Sequence, residues 1–272
     1  NVINLYYTKN SYKLTINYVY ENGTLVEEDK LKPNPYTQTL DYGTEYWVKS
    51  PSIYGYTVDK PVVEGKLTEN TTETVTYRKR TDLSYTVNYY WNGTTDEVAD
   101  SKTVENQTFE DVIKESPEPI DGYTPISWDS KELTITTGDN TITFYYYKNV
   151  ELTANSATLP YNGEEQSVSG FTGAPVEADF SNITVGATGT DAETYPAEFA
   201  KKTVGTVDAK EKYIVTKATD GKLVINKRLV TLASETASKT YDGTPLTRPN
   251  VTMPTENNQG FIASEIKELK AT

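Results

Sequence analysis

Carboxylates crowd at Glu27-Glu28-Asp29 and at Glu164-Glu165, and clustered oxygens of this kind are what a calcium ion takes. Calcium needs roughly six to eight converging oxygens, and the loops that supply them set carboxylates at alternate positions. Neither cluster has that spacing, so both are expected to be solvated turns that hold no metal. Paired carboxylates are also the machinery of glycoside hydrolysis. Any acidic β protein offers such pairs by chance, and no pocket can be located in the sequence, so no catalytic residue is assigned. The chain has no His and no Cys. That removes the commonest general base, the commonest metal ligand, the thiolate nucleophile and every disulfide. A Ser-His-Asp triad is impossible, and the expectation is a protein without enzymatic activity or cofactor.

What remains is aromatic. Tyrosine occurs 22 times, against 6 Phe and 3 Trp. A phenol ring stacks on a sugar, and its hydroxyl hydrogen-bonds sugar hydroxyls. In the run 140–148, strand alternation puts Tyr145 and Tyr147 on the face opposite Ile142, Phe144 and Tyr146. One face is core and the other outward, which makes Tyr145 and Tyr147 the candidate ligand-binding residues. The competing reading is that the outward set shields the sheet or touches the next bead.

The elements that carry these residues are strands. Tyr and Thr favour half-buried pleated surfaces. A chain of 272 residues with only 36% hydrophobic content suggests two to four small β domains rather than one large core. The net charge of −13 argues against nucleic acid and anionic membrane as partners. No apolar run approaches the ~18 residues of a membrane span, so no membrane insertion is expected. The chain shows no initiator Met and no signal peptide and opens in mid-strand, so a piece of something longer is expected. Freedom from Cys fits a secreted protein on a Gram-positive cell surface.

Internal repeats set the domain plan. Residues 1–9, 74–79 and 140–148 end alike in aromatic and basic residues, and each reads as the last strand of a repeat. Opening strands also match. Tyr12, Leu14, Ile16, Tyr18 and Tyr20 share one face, as do Tyr85, Val87, Tyr89 and Trp91. Each is followed by an Asn-Gly hairpin turn, at Asn22-Gly23 and Asn92-Gly93. A Gly-Tyr pair recurs at Gly55-Tyr56 and Gly122-Tyr123, 67 residues apart (123 minus 56). After Lys148 the composition shifts and Tyr161-Asn162-Gly163 and Tyr241-Asp242-Gly243 mark a second repeat type, as tight turns. The expected plan is 1–9 as the last strand of a preceding repeat, 10–80 and 81–149 as two repeats of one type, 150–228 as a repeat of another type, and 229–272 as the start of a further one. Short helical turns are predicted at most at 111–115 and 264–270.

Residues 10–149 resemble the MucBP (mucin-binding-protein) repeats of Gram-positive surface proteins. The resemblance rests on 14–20 with Asn22-Gly23, on Ile53-Tyr54-Gly55-Tyr56, and on Val75-Thr76-Tyr77-Arg78-Lys79. In the second repeat it rests on 85–91, Ile120-Asp121-Gly122-Tyr123 and 142–148. The segments after 150 resemble the MBG (Tyr-Asp-Gly) type of bacterial Ig-like repeat, through Ser238–Leu246 and, more weakly, Leu159-Pro160-Tyr161-Asn162-Gly163. The resemblances imply an all-β fold with minor α: β-grasp-like repeats, then a β-sandwich-like repeat, as beads on a string. They imply a stalk or adhesin on the bacterial cell wall, with host mucin or other glycans and neighbouring repeats of the same chain as partners. The alternative is a passive structural spacer of a cell-wall-anchored protein or filament, with the binding or catalytic domain elsewhere.

Overall fold

The computed structural model describes residues 2–268. These residues form two compact units. Unit 1 holds the chain up to Tyr90 together with Glu97–Glu118 and Ser127–Phe144. Unit 2 holds Trp91–Asp96, Pro119–Ile126 and everything from Tyr145 onward. Nearly all regular structure is strand, in several small separate sheets, as expected of tandem small β domains.

In the first repeat the strands are β1 (Ser11–Tyr20), β2 (Tyr36–Asp41), β3 (Thr44–Lys49), β4 (Tyr56–Val58), β5 (Val62–Leu67) and β6 (Thr71–Lys79). The alternation along β1 is realised at its centre: Leu14, Ile16 and Tyr18 are buried, Tyr12 and Tyr20 are partly buried, and Ser11 and Lys13 are exposed. The main sheet has the order β2-β1-β6-β4. Its central pair, β1 and β6, is parallel, and the flanking pairs are antiparallel. A parallel first and last strand at the centre of a mixed sheet is the β-grasp order. The antiparallel β3–β5 pair contributes Val63 and Leu67 to the core that Leu14, Ile16, Tyr18, Val75 and Tyr77 build. Tyr77 is fully buried, and its hydroxyl donates to the Pro51 carbonyl at 2.6 Å. Burial pushes that phenol up to about 12.

The second repeat copies this plan with β7 (Leu83–Trp91), β8 (Glu97–Gln107), β9 (Val112–Glu115), β10 (Tyr123–Pro125), β11 (Lys131–Thr134) and β12 (Thr141–Ala154). The order β10-β12-β7-β8 matches β4-β6-β1-β2 strand for strand, and β9–β11 stands where β3–β5 did. β7 and β12 each begin in unit 1 and end in unit 2. The helical turn predicted at 111–115 is not formed: Val112–Glu115 is a strand, antiparallel to Lys131–Thr134. Val112 and Ile113 are β-branched, four residues cannot nucleate a helix, and Lys114 faces Glu132 across the ladder at 3.4 Å.

One polar cluster in unit 1 is tied to the core. Tyr85 donates its hydroxyl to Glu115 at 2.5 Å, and Lys102 reaches the same carboxylate at 2.8 and 3.0 Å. Burial, then this carboxylate, pushes the Tyr85 phenol up to about 12. Tyr85→Phe removes one hydrogen bond to a charged group and is expected to cost about 1.5 kcal/mol, read as a lower denaturation midpoint with an unchanged slope.

In unit 2, the part of β12 from Lys148 pairs in parallel with β18 (Tyr213–Thr219), and its end pairs antiparallel with β15 (Phe171–Thr172). The chain-order set between is β13 (Ala157–Pro160), β14 (Gln166–Ser169), β16 (Gly186–Gly189) and β17 (Thr194–Ala197), followed after β18 by β19 (Gly221–Asn226). β19 pairs with β13 and β17, and β14 pairs with β16. Val150, Leu152, Phe180, Tyr213 and Val215 form one core, and Ala154, Val185 and Ala197 a second. No linker separates residue 149 from 150, because β12 runs through that point as one strand.

Residues 229–268 hold only the two-residue pair β20 (Ala233–Ser234) and β21 (Val251–Thr252) and two 3-10 turns, Glu256–Asn258 and Ala263–Glu265. The second turn overlaps the helical turn predicted at 264–270, whose last two residues lie outside the described residues. Residues 2–9, read above within the last strand of a preceding repeat, pair with no strand among the described residues, and Val2, Ile3, Leu5, Tyr6 and Tyr7 stand exposed; Asn1 lies outside the described residues.

Candidate functional site

Along β12, Ile142, Phe144 and Tyr146 are buried, Tyr145 is 40% exposed and Tyr147 is half-buried. Both candidate tyrosines belong to unit 2. Their backbone is fixed by β10: the Ile126 N–H donates to the Tyr145 carbonyl at 3.0 Å, and Tyr147 sits opposite Thr124. The Tyr147 phenol is raised by burial and then by the negative charges of Glu211 and Asp208. Tyr147 is thus partly withdrawn from solvent, while Tyr145 is the more exposed of the two.

The structure assembles a second aromatic site in unit 1 from residues that the sequence presents only as turn and strand signals. Tyr20 ends β1 and the turn after it carries Glu21 and Asn22, while Tyr54 and Gly55 lead into β4, which Tyr56 opens. The Tyr20 and Tyr56 rings lie 5.2 Å apart, tilted by 40°. Together with Tyr77, Lys79, Thr81 and Thr108 they line an open groove of about 540 Å³. Charges surround it in pairs: Arg78 with Glu21 at 3.2 Å, and Lys79 with Glu110 at 3.1 Å. Exposed pairs of this kind contribute on the order of 0–1 kcal/mol, so they orient side chains more than they stabilise the fold.

Glu27, from the first acidic cluster, accepts the Tyr20 hydroxyl at 2.6 Å and stands 3.6 Å from Lys30. The Tyr20 hydrogen bond holds the Glu27 carboxyl below its usual value, while burial and that same bond raise the Tyr20 phenol. Lys30 also lies 5.6 Å from the centre of the Tyr20 ring. This cluster therefore fixes a tyrosine. In the second cluster, the Glu164 N–H donates to the Asn162 side chain at 2.9 Å, closing a turn. Among the described residues no group of three or more Asp, Glu, His or Cys side chains converges as a metal site. No helix among them is long and apolar enough to cross a membrane.

The groove offers tilted tyrosine rings, a carboxamide at Asn22, and ammonium and carboxylate groups at its rim. Such a set stacks on a pyranose and hydrogen-bonds its hydroxyls. The turn and Gly-Tyr signals were visible in the sequence. That Tyr20 meets Tyr56 was not, because the pair forms only when β4 and β1 flank β6 in one sheet.

Comparison with known proteins places the two repeats. The MucBP domain matches residues 13–78 and 85–147. Internalin I of Listeria monocytogenes serotype 4b is 30% identical over 185 residues, covering 65% of this chain and 9% of that protein. The chain thus spans about a tenth of the length of that relative. A solved structure, the Bacillus anthracis TIE protein, aligns with 80% of this chain and 51% of its own at a TM-score of 0.41 and 11% identity. The chain carries two tandem segments that match the MucBP domain, and over part of its length it is similar to a bacterial internalin.

Proposed function

We propose that this chain is a segment of an adhesin on the cell wall of a Gram-positive bacterium, and that residues 10–149 bind host mucin glycans. The observation that carries the reading is the Tyr20–Tyr56 groove lying inside a MucBP-matching segment. The outward Tyr145 is a second contact candidate, and Tyr147 a third. Residues 150–228 and the start of 229–272 serve as Ig-like stalk beads of the MBG type. That assignment is supported by the Tyr-Asx-Gly turns, whose Gly163 and Gly243 have φ of 81° and 79°. Net charge of −13 keeps such a stalk soluble at a crowded surface.

A glycan array probed with the full chain tests this, since cutting at 149 would sever β12. Saturable binding, competed by free sugar, is expected. Tyr20→Ala and Asn22→Ala are each expected to weaken it about tenfold, the order of one stacked or hydrogen-bonded contact. Binding that survives both but fails with Tyr145→Ala would move the site to β12. Absence of binding by the unaltered chain would leave the second reading, a passive spacer. One observation favours that reading: the Tyr56 ring already packs edge-on against Phe109 at 5.9 Å.

A further inference from the structure

The two MucBP-matching segments share a hydrogen-bond pattern beyond their common sheets. In unit 1 the Arg80 N–H donates to the Gly55 carbonyl at 3.0 Å, and the Phe109 N–H donates to the Arg80 carbonyl at 2.8 Å. Phe109 is only 6% exposed, because its ring lies directly on Gly55: a Cβ there would sit 2.2 Å from it. Glu110 follows with φ of 66°. In unit 2 the Asn149 N–H donates to the Gly122 carbonyl at 2.9 Å, and the Lys148 N–H to the Lys212 carbonyl at 2.9 Å. The Trp91 indole N–H donates to that same carbonyl at 2.9 Å, and its ring meets the buried Tyr213 edge-on at 5.6 Å. The preceding residue of that loop, Glu211, has φ of 56°.

Position by position, Arg80 corresponds to Asn149 and Gly55 to Gly122; each incoming loop carries a left-handed glutamate near a buried ring, Glu110 one residue after Phe109 and Glu211 two before Tyr213. The two incoming loops have nothing else in common. One lies in the second MucBP-matching segment, and the other lies outside both segments. A glutamate in the left-handed region is held there only where its surroundings determine the backbone, and here it occurs at both.

We infer that the Gly-Tyr corner of each MucBP-like segment is a socket for the next bead. The socket presents the backbone at the end of the closing strand, where the incoming loop bonds the Arg80 carbonyl in one case and the Lys148 N–H in the other, beside an aromatic ring. Its occupant is a loop with a left-handed glutamate beside a buried ring, whatever the fold of the bead that brings it. This is an interaction surface distinct from glycan recognition, and it stands whether or not the groove binds sugar.

Hydrogen exchange of the full chain, resolved to single amides, tests it. Phe109→Ala is expected to speed exchange at Arg80 by tenfold or more while leaving Lys148 and Asn149 unchanged. Trp91→Ala is expected to do the reverse. The β1 and β18 amides report whether a variant has unfolded. If either does, Glu110→Val and Glu211→Val replace them: both glutamate side chains are exposed, and a β-branched residue resists positive φ. They are expected to give the same two-way pattern. Unchanged protection at Arg80 and at Asn149 in folded variants would overturn the socket. Glycan binding measured on the same samples is a separate readout, so a chain that binds no glycan but shows the two-way pattern keeps the socket and loses only the adhesive reading.

Discussion

Asp208→Ala is expected to destabilise unit 2 by about 3 kcal/mol, lowering its melting temperature by roughly 6–12 °C. Asp208 is 2% exposed. One of its oxygens accepts the N–H groups of Lys212 at 2.7 Å and Tyr213 at 2.8 Å. The other accepts those of Asp179 at 3.2 Å and Lys210 at 3.3 Å. Alanine removes the acceptor and leaves buried backbone donors unsatisfied, which costs more than a hydrogen bond is worth on formation. Asp208→Asn keeps the shape and one acceptor oxygen, so about half that loss is expected. The same residue sets a pH response. Burial opposes its charge, but the backbone N–H groups outweigh burial and hold the carboxyl below its usual value. A lowered folded pKa means that the contribution is complete above the unfolded value of about 4 and lost as pH falls through the folded one. Thermal melts from pH 7 down to pH 2 should show unit 2 of the unaltered chain weakening below about pH 4. The Asp208→Ala chain should show less of that slope. An equal slope in both would mean that other carboxylates carry the acid response.

Gly55→Ala is expected to cost about 3 kcal/mol and Gly122→Ala about 1 kcal/mol, although the two glycines are equivalent in sequence. Their φ values, 81° and 77°, impose the same left-handed penalty of about 1 kcal/mol on alanine. The difference is the neighbour. At Gly55 the new methyl would fall 2.2–2.4 Å from three carbons of the Phe109 ring, whereas nothing lies within 4 Å at Gly122. The ring must move, and overpacking of this kind costs about 1–3 kcal/mol. Denaturant titration of the full chain measures both. In the double variant Gly55→Ala with Phe109→Ala, the clash disappears, so the combined loss should be smaller than the sum of the single losses. Equal costs at the two glycines, or strict additivity, would mean that Phe109 does not rest on Gly55 in solution.

Some of this architecture follows from local sequence. The alternation in 11–20 and 84–91 picks out the inward face of β1 and β7, whose middle residues Leu14, Ile16, Tyr18, Tyr85, Val87 and Tyr89 are buried while Tyr12, Tyr20 and Trp91 at the ends are only partly so, because a strand's two faces are set by neighbours two positions apart. The second repeat's sheet order matches the first, as shared opening and closing strands imply. The absence of His and Cys bounds the chemistry without any coordinates. Where a signal needs a partner far along the chain, the sequence is silent. Residues 111–115 look like a helical turn until Lys131–Thr134 supplies a strand to pair with them. Glu27 reads as part of a solvated acidic turn until the fold brings the Tyr20 hydroxyl to it. Tyr147 is outward by alternation yet lies in the field of Glu211 and Asp208, because β18 pairs alongside β12. The sockets are further from view still: Trp91 and the carbonyl it bonds are 121 residues apart. Periodicity encodes which face of a strand is apolar. Which apolar face, carbonyl or carboxylate it meets depends on sheet order and loop conformation, and those are settled only when the whole chain packs.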